Sequence, residues 1–205
     1  MEEPVVITIS RQYGSGGHRI GALAAEHLGI PFYDREIISL AVLKSGIDEY
    51  FFLEAENREV GSLLYDLAAG LNFQTSLNDK IFLAQEAVIR ELAAEKSCVI
   101  VGRCAGEILR DRKNVLRVLI HADPEDRRKR ALEEYGDAAA SSRDYMLDMD
   151  EKRARYCRHY TKKRWDRAEH FDLCIDSSLT GMEGAAQIIQ EAYINLKNSP
   201  LSSRF

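Results

Sequence analysis

The sequence lacks the features that mark membrane proteins and secreted, disulfide-bonded proteins. No apolar run approaches the roughly 20 residues that cross a bilayer. Its start, MEEPVVITIS, is acidic and leads straight into an apolar stretch, unlike a signal peptide with its basic start and apolar centre. The 4 cysteines are scattered, with no CxxC pair and no histidine at zinc-finger spacing. These absences predict a cytoplasmic protein with reduced cysteines, no structural metal site and no membrane partner.

An excess of positive charge is also absent. The chain has 28 Lys and Arg against 33 Asp and Glu, for a net charge of −5 at pH 7, which argues against a general nucleic-acid binder. The one strongly basic stretch, KRARYCRHYTKKRWDR (152–167), offers only Tyr156, Tyr160 and Trp165 for stacking on bases. Nucleic-acid binding is therefore disfavoured. The length of 205 residues suits one domain with a sizeable core.

Short apolar segments rich in β-branched residues predict a parallel sheet. They are Val5–Ile9, Cys98–Val101, Val115–Ile120 and Leu173–Ile175, with Ile30–Tyr33 as a weaker fifth. Helical patterns separate them, and the strand-free segment 36–78 is typical of a helical insertion. The alternation predicts a doubly wound α/β sheet that binds ligands at the carboxyl ends of its strands.

A glycine-rich loop, RQYGSGGHRI, follows the first predicted strand and leads into a helix. Gly14, Gly16 and Gly17 let the backbone take positive φ and bring N–H groups close to an anion. The helix N-terminus adds unpaired N–H groups and a positive dipole end. This arrangement predicts a phosphate-binding loop, and the alternative is a tight turn that merely needs small residues.

The loop departs from both common nucleotide-binding patterns. Against G-x-x-x-x-G-K-[ST], Gly16 matches the second glycine, but Arg11, Gly17 and His18 stand at the first glycine, the lysine and the hydroxyl residue. When the dinucleotide-binding pattern GxGxxG is aligned on Gly14 and Gly16, Arg19 occupies the position of the third glycine. Since Arg11 and Arg19 flank the glycines and Ser15 adds a hydroxyl, we predict a phosphate loop in which arginine replaces lysine.

Further arginines lie where they can meet such a loop. VIVGRCAG places Arg103 just after a predicted strand, at the ligand-binding edge of the sheet, although a surface arginine is the alternative. The stretch 152–167 is either a solvated basic face or a lid over polyphosphate, and bidentate guanidinium contacts favour the lid. The segment ADPEDRRKR is a helix start with acids first and bases last, as the helix dipole prefers.

The ordered set of motifs resembles the cytidylate kinase-like proteins, relatives of bacterial cytidylate kinase among the P-loop kinases. The motifs are ISRQYGSGGHRIG, IPFYDREII, VIVGRCA, IHADPEDRRKR, the basic stretch and FDLCIDSS. The resemblance implies a single P-loop kinase-like domain over residues 1–205: a three-layer α/β sandwich with a five-stranded parallel sheet. It also implies a monophosphate-binding helical insertion at 36–78, an arginine-bearing lid at 136–167, and ATP and Mg²⁺ as donor and cofactor.

Site residues follow from the resemblance and from the arginine pattern. The donor-phosphate group is Gly14, Ser15, Gly16, Gly17, His18 and Arg19. The acceptor-binding group is Asp34, Arg35, Arg103 and Asp172. The lid group is Arg127, Arg130, Arg153, Arg155 and Arg158, and the predicted catalytic charges are Arg11, Arg19, Arg153 and Arg158.

Two functions fit these residues. Cytidylate kinases keep the loop lysine, the Ser or Thr after it and the aspartate of a GRD motif, where this chain has Gly17, His18 and Cys104. The first hypothesis is a phosphotransferase that uses ATP and acts on a nucleoside monophosphate or a similar small acceptor. The second is a nucleotide-binding regulatory module on the same fold with little or no turnover. His18 is a poor ligand for a hard cation, so no protein metal site is predicted.

Overall fold

The computed structural model describes residues 3–34, 36–45, 77–165 and 167–198. Its strands are β1 (Val6–Arg11), β2 (Phe32–Tyr33), β3 (Cys98–Val101), β4 (Val115–His121) and β5 (Leu173–Asp176). Its helices are α1 (Gly17–Leu28), α2 (Glu36–Ser45), α3 (Leu77–Glu95), α4 (Ala105–Ile108), α5 (Pro124–Glu133), α6 (Arg143–Thr161) and α7 (Ser177–Asn198). Short 3₁₀ turns occupy Ala138–Ser141 and Ala168–His170.

The five strands form one sheet in the order β2-β3-β1-β4-β5, and every pairing is parallel. β1 is central because it pairs with both β3 and β4. Its residues Val6, Ile7 and Ile9 are at most 1% exposed, as expected for a strand covered on both faces. The glycine-rich loop therefore leaves the middle of the carboxyl edge of the sheet.

Helices cover both faces of this sheet, which confirms the predicted three-layer α/β fold. On one face α1 and α7 pack their apolar sides, including Ile20 and Ile189, against β1 and β4. On the other face α2, α3 and α4 contribute Ile37, Ile89 and Ile108. Among the described residues, no helix has both the length and the apolarity to cross a membrane.

The structure describes only part of the predicted helical insertion, and it shortens the predicted basic helix. Of the insertion predicted at 36–78, α2 and the start of α3 are described, and residues 46–76 lie outside the described ranges. The basic stretch is helical only as far as Thr161, because Lys162 takes a left-handed φ of 60° and caps α6. Lys162 therefore lies beyond the helix that carries Arg155 and Arg158.

Candidate functional site

The loop between β1 and α1 adopts a shape that only glycine permits at its two turning points. Gly14 and Gly16 have φ of +74° and +79°, in the left-handed region. A Cβ on Gly14 would lie 2.4 Å from the carbonyl oxygen of Arg127. Gly16 precedes α1 and provides no side-chain cap. No capping side chain at that position therefore accepts from the first-turn N–H groups of α1, which face the loop. This is the geometry that binds anions at helix N-termini.

Positions 11 and 17 carry arginine and glycine, where the common phosphate loop has glycine and lysine. A Cβ on Gly17 would lie 2.5 Å from the Cβ of Arg11, so the arginine side chain passes directly over position 17. Its guanidinium then lies against Gly102, where an added Cβ would meet Nη1 at 2.1 Å. Nη2 is 3.8 Å from Oδ1 of Asp34. Glycine at position 17 thus makes room for a cation from position 11.

Asp34, at the end of β2, joins Arg11 to His18. Oδ2 of Asp34 lies 2.7 Å from Nδ1 of His18, and the carboxylate side chain is 12% exposed. His18 occupies the place of the loop hydroxyl, and its Nδ1 is already engaged by Asp34. No group of three or more His, Cys, Asp or Glu residues that could hold a metal ion occurs in the described part of the chain. The loop therefore does not fit a magnesium ion held by a loop hydroxyl.

Three arginines of the predicted lid group reach the loop and donate to its carbonyl oxygens. The contacts are Arg127 Nε to Tyr13 O at 2.6 Å, Arg130 Nη1 to Gly14 O at 2.5 Å and Arg153 Nη1 to Arg11 O at 3.1 Å. They come from α5 and α6, more than a hundred residues along the chain from the loop. Guanidinium groups from α5 and α6 therefore contact the glycine-rich loop at three successive points, Arg11, Tyr13 and Gly14.

The positive charges are close enough to affect one another. Burial lowers the pKa of Arg153 to about 10, and the charge of Arg11 adds to that shift. Burial also lowers the pKa of Arg103, whose charge is favoured by Tyr156 and Asp34 and opposed by Arg11. Guanidinium groups remain charged in proteins. Arg11, Arg103 and Arg153 therefore form a convergent cationic cluster, which an anion would stabilise.

Arg103 is held by an unusual backbone. Gly102, Arg103 and Cys104 have φ of 78°, 54° and 55°, so three successive residues are left-handed at the carboxyl end of β3. A non-glycine residue in this region costs on the order of 1 kcal/mol or more. Such strain concentrates at functional sites, and here it occurs at the carboxyl edge of the sheet, beside the Arg11 guanidinium.

A network that the sequence did not predict fixes the loop from α6. Oδ1 of Asp150 accepts the Tyr13 N–H at 2.7 Å, and its other oxygen pairs with the buried guanidinium of Arg127. The Tyr13 hydroxyl hydrogen-bonds to Asp137, which also accepts the Tyr145 hydroxyl at 3.0 Å. The sequence signal for this network is the acid-rich stretch RDYMLDMDEKR (143–153), which contains Asp150.

Two further hydroxyl groups shape the loop. Ser15 is 1% exposed, and its hydroxyl donates to Gln12 O at 2.9 Å, which closes the turn. The Ser177 hydroxyl at the start of α7 donates to Ser15 O at 2.7 Å.

Other predicted arginines lie outside this cluster. Arg19 is on the exposed side of the first turn of α1, and Arg158 is exposed on α6. Nη2 of Arg155 lies 4.0 Å from Oδ1 of Asp148, a neighbour on its own helix. Their predicted roles in donor binding and catalysis remain predictions.

Asp172 lies away from the other predicted acceptor residues. It precedes β5, at the amino end of that short strand, and accepts the Arg117 N–H at 2.7 Å. Its Oδ2 also lies 3.6 Å from Nη1 of Arg117. The structure therefore places Asp172 where it ties β5 to β4, and the carboxyl edge that carries the loop begins about 13 Å away, four residues along the strand. Arg35, the other predicted acceptor residue, lies outside the described residues.

Comparison with known proteins identifies a family whose sequence model this chain matches. Residues 6–179 match the sequence model of the cytidylate kinase-like family. No curated protein matches the chain. An uncharacterised protein from Eubacterium ventriosum has a similar solved structure, with 29% identity, a TM-score of 0.68, and 93% of this chain and 98% of that chain covered.

Two shikimate kinases share the fold at lower identity. The Acinetobacter baumannii enzyme, solved in complex with shikimate, has 15% identity and a TM-score of 0.54, with 97% of both chains covered. The Bacteroides thetaiotaomicron enzyme has 14% identity and a TM-score of 0.54, with 92% of this chain and 97% of that chain covered. The family match runs from the first strand to beyond the last, through the loop, Asp34, Arg103 and α6. The chain therefore belongs to the cytidylate kinase-like family.

Proposed function

We propose that the protein is an ATP-dependent phosphotransferase that phosphorylates a nucleoside monophosphate or a similar small acceptor. Membership of the cytidylate kinase-like family and the P-loop kinase fold support kinase-type phosphoryl transfer. The observation that carries the proposal is the placement of three arginines at the loop: Arg153 donates to the carbonyl oxygen of Arg11, and the Arg11 guanidinium lies against Gly102, next to Arg103. Phosphoryl transfer depends on positioning and on neutralising charge, and this cluster provides both.

The donor phosphates bind, in this proposal, over Gly14–Arg19 at the N-terminus of α1. The amides of the first turn point at the phosphates, and Arg11 and Arg153 approach from two sides. Arginine clamps two oxygens at once, whereas lysine is a single point charge. An arginine cradle therefore holds the polyphosphate in a fixed orientation, with less freedom to follow the transferring group.

The acceptor binds beside Arg103, at the carboxyl end of β3. Its phosphate or other anionic group receives charge-assisted hydrogen bonds from the guanidinium. Asp34 faces the same space with its carboxylate already paired to His18 and Arg11. We propose that Asp34 fixes the side chains of His18 and Arg11 in place and that Arg103 binds the acceptor.

Magnesium has no proposed ligand in the loop. The hydroxyl that would coordinate it is replaced by His18, whose Nδ1 is held by Asp34 at 2.7 Å. Imidazole suits softer metal ions better than magnesium. We propose that Arg11 and Arg153 provide the charge neutralisation at the loop, so that a titration of ATP with and without Mg²⁺ shows binding in both.

The acceptor site is tested by an Arg103→Ala variant in an assay of ADP release from ATP over a panel of nucleoside monophosphates and other small anions. We expect the parent to release ADP only with certain acceptors, and the variant to lose about 1.5–3 kcal/mol of transition-state stabilisation, a tenfold to hundredfold fall in kcat/KM. The melting temperature should barely change, because a charged contact is lost rather than packing.

An Arg110→Ala variant is the matched control, since this arginine lies just beyond α4, is 58% exposed and pairs with its neighbour Asp111 at 3.5 Å. It should retain the activity of the parent. If the parent binds ATP but releases no ADP with any acceptor, the second function is correct, that of a nucleotide-binding regulatory module. The replacement of the loop lysine and hydroxyl by Gly17 and His18 is the observation that favours that alternative.

A further inference from the structure

Tyr13, in the loop between β1 and α1, is held at its backbone and at its hydroxyl by groups from later in the chain. Its N–H donates to Oδ1 of Asp150 at 2.7 Å, and its carbonyl oxygen accepts from Nε of Arg127 at 2.6 Å. Its hydroxyl donates to Oδ2 of Asp137. The residue is 9% exposed. The aromatic ring of Tyr13 is therefore fixed at both ends.

The guanidinium of Arg153 lies over the face of this ring. Cζ of Arg153 is 5.7 Å from the ring centroid, within the roughly 6 Å over which an aromatic face attracts a cation. Nη1 of the same guanidinium donates to the carbonyl oxygen of Arg11 at 3.1 Å. The Arg153 side chain is still 30% exposed, so it keeps surface with which to meet a phosphate.

Asp150 is a second group that attracts this guanidinium. Its Oδ1 lies 3.6 Å from Nη1 of Arg153, beyond the range of a well-formed hydrogen bond. The same oxygen already accepts the Tyr13 N–H at 2.7 Å, and Oδ2 pairs with Arg127. Asp150 therefore attracts Arg153 without fixing its direction, which the Tyr13 ring and the Arg11 carbonyl supply.

We infer that Tyr13 is a positioning residue, whose ring holds the Arg153 guanidinium at the loop in the orientation that meets the donor phosphates. In the function proposed above, on which this role depends, Arg153 contacts those phosphates. Burial and then the hydrogen bond to Asp137 raise the pKa of Tyr13 above its usual range, so the ring faces the cation as a neutral aromatic group. The bond from its backbone to Asp150 ties the loop to α6, the helix that carries Arg153.

Edge-on contacts hold the ring in place even without its hydroxyl. The ring centroids of Tyr135 and Tyr145 lie 6.3 and 5.8 Å from that of Tyr13, with interplanar angles of 82° and 89°. Asp137 would still accept the Tyr145 hydroxyl at 3.0 Å. Tyr13→Phe should therefore retain the position of Arg153, whereas Tyr13→Leu removes the aromatic face.

The first measurement is the Nε–Hε NMR signal of Arg153 in the ligand-free ¹⁵N-labelled protein, identified as the signal that Arg153→Ala removes. A proton above an aromatic face is shielded by the ring current. We therefore expect Tyr13→Leu to move this signal to lower field and Tyr13→Phe to leave it in place. Tyr145→Leu is the matched control, because it removes a ring from the same apolar cluster. It should lower the melting temperature, as Tyr13→Leu does, and leave the Arg153 signal unmoved.

The second measurement is a calorimetric titration of ATP. Tyr13→Leu should weaken ATP binding about tenfold, the size of a partly desolvated contact between a cation and an aromatic face. In the Arg153→Ala background, the same substitution should change the affinity by no more than about twofold. A residue that only packs against its neighbours would lower the affinity equally in both backgrounds.

An Arg153 signal that Tyr13→Leu leaves unmoved, or equal losses of ATP affinity in the two backgrounds, would overturn the positioning role. A Tyr13→Phe variant that behaves like Tyr13→Leu would also overturn it. If the leucine variant does not fold, the parent decides: nuclear Overhauser contacts between the Tyr13 ring and the Arg153 side chain support the role, and their absence overturns it. A parent that binds no ATP contradicts the proposed function, and the ligand-free Arg153 signal still decides whether Tyr13 holds that side chain.

Discussion

An Asp150→Ala variant is expected to unfold with a free energy about 3–5 kcal/mol lower than that of the parent, the range for breaking a buried ion pair from one side. The carboxylate pairs with Arg127, a residue that is 5% exposed, and accepts the Tyr13 N–H at 2.7 Å. Removing it leaves a buried guanidinium without its counter-charge and a loop amide without its acceptor. Urea unfolding should show a lower midpoint with an unchanged slope.

Asp148 provides the matched control on the same helix. Its side chain is 47% exposed and pairs with Lys152 at 2.8 Å, so Asp148→Ala should change the free energy of unfolding by no more than about 1 kcal/mol. Equal losses in the two variants would show that the contact between Asp150 and the loop does not determine stability. The loop would then owe its shape to its glycines alone.

The second large effect is expected from exchanging Arg11 and Gly17. Arg11→Gly removes a cation from the cradle and should cost ATP affinity by about 1.5–3 kcal/mol, the range for hydrogen bonds to charged groups. Gly17→Lys alone should also weaken ATP binding, because its Cβ would lie 2.5 Å from the Cβ of Arg11. The double variant places glycine and lysine where the common phosphate loop has them, and it should recover most of the lost affinity.

The four proteins form a double-mutant cycle that calorimetric titration of ATP can measure. We expect the two substitutions to be coupled by about 0.5–3 kcal/mol in favour of the double variant, with thermal unfolding of each variant as the control for folding. Losses that simply add would mean that Arg11 and Gly17 act independently. In that case Arg11 would be a structural partner of Asp34 and not a substitute for the lysine.

The fold was predictable because its signals are local. Buried parallel strands are short apolar runs, and β3 was placed at its observed bounds, Cys98–Val101. The strand predicted at Ile30–Tyr33 proved shorter, Phe32–Tyr33, at the edge of the sheet. Gly14 and Gly16 pointed to a phosphate loop because left-handed backbone strongly favours glycine.

The contacts that complete the site were not predictable in the same way. The hydrogen bond from Tyr13 to Asp150 joins residues 137 positions apart, and no local pattern shows which acid on α6 faces the loop. The passage of Arg11 over Gly17 depends on the path of a side chain rather than on spacing. Asp172, which the family resemblance indicates as an acceptor residue, lies away from the loop because it precedes its strand instead of following it.

The most direct measurement is a titration of the ¹⁵N-labelled protein with a non-hydrolysable ATP analogue, followed by amide and guanidinium NMR signals. If the loop is a phosphate cradle built with arginine, the largest changes occur at the amides of Gly14–His18 and at the guanidinium groups of Arg11 and Arg153. An analogue that binds while these signals stay unchanged, with its shifts in another part of the chain, would contradict the cradle and leave the glycine-rich segment as a turn between β1 and α1.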